Sequence, residues 1–159
     1  MNFDLAQLIH HSICGGLAAA GFGVLFNISP RGLPSCAGAG AIALATRTIL
    51  LQWGWKLEPS SFVAALVLGL AVQLWPVSRF GVSRGALHVA GCIPMVPGSF
   101  AAKAILGLFS ITAVPPVAAG PMLTTSLAYA VRVAFTIGAL GTGMAVPSLL
   151  LRHRRDPAS

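Results

Sequence analysis

The residues of this chain that could do chemistry are mainly cations placed inside apolar segments. Arg47, Lys103 and Arg132 each interrupt a long hydrophobic run. If those runs cross a bilayer, a charge at its centre costs at least about 2.5 to 3.5 kcal/mol, so such side chains usually face a bundle interior, a watery path or a partner. The alternative is that they extend to the membrane interface. Because all three are cations, a cavity that they lined would suit an anionic or carboxylate-bearing solute.

The stretch CIPMVPGSF, from Cys92 to Phe100, is the second candidate feature. Pro94 and Pro97 remove two amide donors and clash with the preceding turn, while Gly98 can adopt dihedrals closed to other residues. These residues therefore predict a break in a helix. A backbone carbonyl freed at bilayer depth is tolerated only against protein or a watery cavity.

A second half-helix is predicted to begin at this break, with Ser99 as its N-cap and Lys103 one turn further on. The N-terminus of a helix is the positive end of its dipole, and discontinuous helices of transporters direct such ends at anionic groups. A proline kink that only shapes packing is the competing interpretation. The predicted substrate-binding or pathway residues are Arg47, Pro94, Met95, Pro97, Gly98, Ser99 and Lys103.

Most other site chemistries are disfavoured by what the sequence contains. Its only acids are Asp4, Glu58 and Asp156, which almost excludes catalysis by paired carboxylates. No nucleotide-binding or hydrolase motif is supported by its context. The three cysteines lack metal-ligand spacing, and adjacent His10 and His11 point to different helix faces, so packing roles are expected for them. We predict no enzyme activity, no metal and no cofactor.

Composition places these candidate residues in a membrane. Hydrophobic residues make up 56% of the 159-residue chain and charged residues 8%, against about 25% charged in a soluble domain. The apolar runs are continuous, which favours spanning helices over the alternating strands of a barrel. The net charge of +7 is scattered between those runs and so indicates loop charges, not a nucleic-acid surface. We predict an all-α polytopic transmembrane helix bundle forming one domain over residues 1–159.

Five segments are long enough to cross, the fourth being broken by the CIPMVPGSF stretch. Because the first segment is preceded by Asp4 and by no basic residue, we expect it to be retained and not cleaved as a signal peptide. Ser60 or Ser61 is a plausible N-cap for the third segment, and the stretch VPPVAAGP is predicted to be a loop before the fifth. The predicted segments are 5–27, 35–55, 62–75, 86–114 and 123–151.

Basic residues between the segments predict the orientation, because short cytoplasmic loops are enriched in Lys and Arg. With five crossings and a cytoplasmic C-terminus, Arg31, Arg79 and Arg84 fall on the cytoplasmic side and Lys56 lies outside. Residues 152–159 then form a short basic cytoplasmic tail. A four-crossing arrangement, with the second segment partly in the interface and both termini inside, remains an alternative.

Small residues recur every four positions in the first two segments. They are Gly15, Ala19 and Gly23 in the first, and Ala37, Ala41 and Ala45 in the second. Such faces allow helix backbones to approach closely in lipid, where burial of apolar surface gives no net drive. A general richness in Ala and Gly is the competing explanation.

An ordered set of residues across nearly the whole chain resembles the threonine/serine exporter family. It consists of GFGVLFN at 21–27, Arg31, Cys36, Arg47, Glu58 with Phe62, and IPMVPG at 93–98. Within that family the chain resembles the YjjB-type small subunit, which corresponds to the C-terminal half of the full-length exporters.

The resemblance implies a subunit of an inner-membrane exporter of small carboxylate-bearing metabolites, threonine and serine or dicarboxylates such as succinate. It also implies a separately encoded larger partner of the YjjP type. Because the sequence contains no ATP-binding motif, we expect transport to be driven by an ion or solute gradient. Asn27, Arg31 and Glu58 are assigned to gating or interhelical pairing. The competing class is a non-transporting membrane subunit that only stabilises its partner, and a membrane enzyme is a distant third.

Overall fold

The protein is all-helical in the part of the chain that the structure describes. This computed structural model describes residues 4–76, 80–113 and 115–153, and these residues contain helices and no strand. The helices are α1 Leu5–Leu25, α2 Leu33–Gln52, α3 Leu57–Leu74, α4 Arg84–Cys92, α5 Gly98–Ser110 and α6 Pro116–His153, with 3-10 turns at Ile93–Met95 and Ile111–Ala113. The predicted fold class is thereby confirmed.

Four helices are long and apolar enough to cross a membrane by themselves. They are α1, α2, α3 and the part Ala119–Leu150 of α6. Helices α4 and α5, with the turns that follow them, meet the same criterion as a pair bent at the short break between Met95 and Gly98. The described helices therefore provide up to five spans, with the predicted break in the fourth.

The chain divides into two compact units. The first comprises residues 1–95 and 139–159 and the second Val96–Gly138. The boundary between them falls at the break after Met95, and α6 contributes to both.

In the first unit, α1 packs against α2 through its small residues. Gly15, Ala19 and Gly23 are all buried, as predicted. A Cβ atom at Gly15 would lie 2.9 Å from the carbonyl oxygen of Gly40, so the two backbones are nearly in contact. On α2, the predicted stripe of Ala37, Ala41 and Ala45 is half-buried, and a Cβ atom at Gly16 would lie 3.0 Å from the carbonyl oxygen of Ala37. Because α2 also packs against α3 and α4, its buried face is a different set: Cys36, Ala39, Gly40 and Ala43.

Polar side chains also join these helices. His11 Nδ1 and Thr48 Oγ1 lie 3.1 Å apart between α1 and α2. The indole Nε1 of Trp75, at the end of α3, donates to Ser35 Oγ at 3.2 Å. The packing role expected for His11 is consistent with this contact.

The last part of α6 packs against α3 within the same unit. A Cβ atom at Gly143 would lie 2.6 Å from the carbonyl oxygen of Phe62. One at Gly69 would lie 2.9 Å from Pro147 Cγ. These close approaches hold α6 against the core formed by α2, α3 and α4.

The second unit contains α5 and the first part of α6. Gly107 faces Ser126 so closely that any Cβ there would collide with the Ser126 hydroxyl. The rings of Phe100 and Tyr129 lie 5.7 Å apart between the two helices. Most large apolar side chains of this unit are exposed, as expected of a surface that meets lipid or protein instead of water.

Two predicted helix starts are wrong. Helix α3 begins at Leu57, so Ser60 and Ser61 do not cap it; both are buried, and their hydroxyls donate to the carbonyls of Lys56 and Leu57. Proline is tolerated in the first turn, because the N–H that it lacks would have no intrahelical partner there. Pro59 therefore lies within the first turn of α3 and not in a loop before the helix.

The predicted loop before the fifth segment is mostly helical, since α6 begins at Pro116. Pro116 stands at the first helical position, where its fixed φ favours helix initiation. Of the residues used to predict orientation, Arg79 and residues 154–159 lie outside the described part of the chain.

Candidate functional site

The break after α4 is built around Pro97. Its dihedrals, φ −80° and ψ 63°, and the 2.8 Å hydrogen bond from the Gly98 N–H to the Val96 carbonyl define an inverse γ-turn. Gly98 is not among the glycines with positive φ, which are Gly54 and Gly81. The expectation that the break depends on the conformational freedom of Gly98 is therefore wrong, because the turn is formed at Pro97.

Arg47 satisfies the backbone at this break. In a continuous α-helix the Met95 carbonyl would accept a hydrogen bond from the N–H of Ser99. Instead, the guanidinium Nη1 of Arg47 donates to that oxygen at 2.7 Å, and the Met95 side chain is fully buried. A cation in the C-terminal half of α2 thus stabilises a carbonyl that the break would leave without a partner in an apolar setting.

Ser99 does not act as the predicted N-cap. Helix α5 begins at Gly98, Pro97 occupies the cap position, and the described residues supply no side-chain cap. The Ser99 side chain itself is exposed. The N–H groups of Gly98 and Phe100 donate to the carbonyls of Val96 and Pro97. Among the described first-turn amides this leaves the Ser99 N–H for an anion at the helix N-terminus.

Lys103 lies in the second unit between two aromatic rings. Its Nζ is 5.9 Å from the centroid of Phe100 and 5.7 Å from that of Tyr129. The guanidinium carbon of Arg132 lies 5.1 Å from the same Phe100 centroid. Cations are attracted to ring faces at these distances, so the aromatic pair gathers both cations into one cluster.

The three residues assigned to gating or pairing lie near helix ends. Asn27 follows α1 with φ 55°, a left-handed conformation that asparagine tolerates. Arg31 is exposed in the loop before α2, and Glu58 stands in the first turn of α3. Their assigned roles remain predictions.

Of the predicted pathway residues, Arg47 of α2 contacts the break directly, through its hydrogen bond to the Met95 carbonyl. It groups Lys103 with Phe100 and Tyr129, which are not among the predicted site residues. Phe100 with Lys103, and Tyr129 with Arg132, are both spaced three apart, which places each pair on one helix face. This spacing in the sequence could have indicated an aromatic residue beside each cation. It does not show that the face of α5 meets the face of α6.

The fold and this break define a multi-pass helical membrane protein with a discontinuous helix. The family model described as "Threonine/Serine exporter, ThrE" matches residues 11–150. The chain therefore belongs to the threonine/serine exporter family, which is a family of transporters. No solved structure matches the chain.

Proposed function

We propose that this chain is one subunit of an inner-membrane secondary exporter of small carboxylate-bearing metabolites. Its solutes are threonine and serine, or dicarboxylates such as succinate. It works with a separately encoded larger subunit of the YjjP type. The observation that carries the proposal is the broken helix of an exporter-family chain, with an uncapped α5 N-terminus and Arg47 on the freed carbonyl of Met95.

In this proposal the break forms part of the solute site. The N-terminus of α5 supplies the positive end of a helix dipole and the Ser99 N–H, to which a carboxylate can bind. Pro94, Met95, Pro97, Gly98 and Ser99 shape that end. Arg47 positions the break through its hydrogen bond to Met95 and provides the second contact for a carboxylate.

Lys103 adds positive charge one turn into α5. Lys103 lies about ten residues before Ala113, where the 3-10 turn after α5 ends. At helical spacing this places it about 15 Å along the axis from that end. That is about half of the hydrocarbon thickness of a bilayer, deeper than a lysine side chain reaches from the surface. A charge at this depth is consistent with a solute pathway.

The experiment measures efflux from metabolite-loaded cells that contain this chain, the larger partner, both or neither, across a panel of amino acids and dicarboxylates. We expect export only when both chains are present. Epitope tags on each chain show that its level is the same whether it is expressed alone or with the other chain.

The competing function is a non-transporting subunit that stabilises its partner. Under that function the partner alone, once made stable, exports as well as the pair. Efflux from such cells would contradict our proposal, whereas export that requires both chains and fails in the Pro97→Ala variant supports it.

A further inference from the structure

A cavity opens at the end of the first unit where α1 leads into α2. Its volume is about 360 Å³, and it is lined by Ser29, Pro30, Arg31, Phe80 and Gly81. The exposed Arg31 supplies its charged group. It is unrelated to the break at Pro97, and the proposed export function does not use it.

The two loops that form the cavity are held together by direct contacts. A Cβ atom at Gly32 would collide with the side chain of Val82 and would lie 2.8 Å from Ile28 Cγ2. The Ser29 hydroxyl donates to the Phe80 carbonyl at 3.5 Å. Gly81 has a φ of 63°, a conformation that glycine adopts without strain. The packing therefore defines the walls of the cavity.

The electrostatic environment of this cavity is positive. Helix α2 begins two residues after Arg31, and within the described part of the chain no side chain caps it. Helix α4 begins three residues after Gly81, so a second helix dipole has its positive end on the same loop. The buried Nε of Arg84 has no hydrogen-bond acceptor among the described residues.

The two carboxylates of the described residues, Asp4 and Glu58, stand at the starts of α1 and α3, far from the cavity. Asp4 caps the start of α1, and Glu58 stands in the first turn of α3, after α2 has crossed back. Since α2 has 20 residues, it separates Arg31 from Glu58 by about 30 Å, the thickness of the hydrocarbon core. No described carboxylate therefore lies close to Arg31, so an anion supplied by another molecule can complement it.

Apolar side chains just before the cavity indicate which anion is present. At the end of α1, Val24, Leu25 and Phe26 are 61%, 75% and 44% exposed. In a spanning helix these side chains meet acyl chains at the edge of the hydrocarbon core, about one turn from Arg31. A lipid places its phosphate and its acyl chains in this same relation.

We propose that the cavity binds the phosphate of an anionic phospholipid headgroup through the guanidinium of Arg31. The guanidinium can donate two parallel hydrogen bonds to phosphate oxygens, a geometry that a lysine cannot reproduce. The acyl chains of the bound lipid lie along Val24, Leu25 and Phe26.

Native mass spectrometry of the delipidated full chain in detergent tests this proposal. Phosphatidylglycerol and phosphatidylcholine with the same acyl chains are added together. We expect the wild-type chain to bind phosphatidylglycerol preferentially and Arg31→Gln to bind it roughly tenfold more weakly, the effect of losing one hydrogen bond to a charged group. Lys56→Gln removes the same charge at the opposite end of α2, and we expect it to keep the wild-type preference.

Three results would overturn the proposal. The first is that the wild-type chain binds phosphatidylglycerol and phosphatidylcholine equally. An equal loss in Arg31→Gln and Lys56→Gln shows a general charge effect. Inorganic phosphate that binds alone and fully displaces phosphatidylglycerol shows a site for free oxyanions, not for lipid.

Discussion

At the scale of single residues, Arg47 is the best-defined polar group of the candidate site. The sequence shows only a cation inside an apolar segment, which fits a solute contact or extension to the interface equally well. The structure shows its partner, the carbonyl of Met95, 48 positions further along the chain. No local pattern encodes such a contact, because it depends on how α2 packs against the end of α4.

Replacing Arg47 with alanine leaves the Met95 carbonyl without its donor. We expect a loss of about 1 to 3 kcal/mol in the free energy of unfolding, the cost of an unsatisfied buried carbonyl, together with a loss of efflux. Thermal unfolding in detergent and efflux with the partner present measure the two effects. Arg47→Lys, which can still donate, should recover part of both, while Lys56→Ala should change neither. Unchanged stability in Arg47→Ala would contradict the role assigned to this hydrogen bond.

Pro97 and Gly98 are adjacent, but the break depends on the conformation of Pro97 and not on that of Gly98. Pro97→Ala releases the fixed φ and restores an N–H, so we expect efflux to fall by roughly tenfold at normal protein level, since small misplacements of a positioned group slow a process strongly. Gly98→Ala should leave the turn intact and lower efflux less than Pro97→Ala, because its added Cβ meets no atom within 4 Å and its φ is not positive. The reverse order of effects would show that the turn depends on glycine.

At the scale of helices, hydropathy was sufficient to predict the spans but not their ends. Pro59 and the serines after it suggest a loop, yet they lie in the first turns of α3, where proline loses no hydrogen bond. Ser99 has the right type and position for a cap, but Pro97 already occupies that place. Such outcomes depend on small local energies that the neighbouring packing overrides.

The contact between α1 and α2 provides a test with a matched control on one helix. Gly40→Ala puts a methyl group against Ala19 and the backbone of Gly15, and we expect overpacking to destabilise the chain by about 1 to 3 kcal/mol. Gly38→Ala places its methyl group 3.4 Å from the Trp75 ring, an ordinary contact, so it should be neutral or slightly stabilising. Thermal unfolding of both variants in the same detergent measures the difference. Equal melting temperatures would show that the helices are not in close contact at Gly40.

At the scale of the whole molecule, the number of spans decides which ends share a side of the membrane. Ser29 stands between α1 and α2, and Lys56 between α2 and α3. Helix α2 is long and apolar enough to cross, and if it does, these two positions face opposite sides. A bent α4–α5 pair that crosses completely returns the C-terminus to the side of Ser29, whereas a pair that re-enters on the same side places it opposite.

Cysteine labelling distinguishes these arrangements in intact cells. In a chain whose Cys14, Cys36 and Cys92 are replaced, we expect an impermeant thiol reagent to label Lys56→Cys but not Ser29→Cys, since basic residues favour the cytoplasm for the Ser29 side. A cysteine added after Ser159 should be protected like Ser29→Cys. All three should be labelled once the cells are permeabilised. Labelling of the added C-terminal cysteine together with Lys56→Cys would indicate that the broken pair re-enters. Protection or labelling of Ser29→Cys and Lys56→Cys together would show that α2 lies in the interface, so that the break at Pro97 would belong to a four-span bundle.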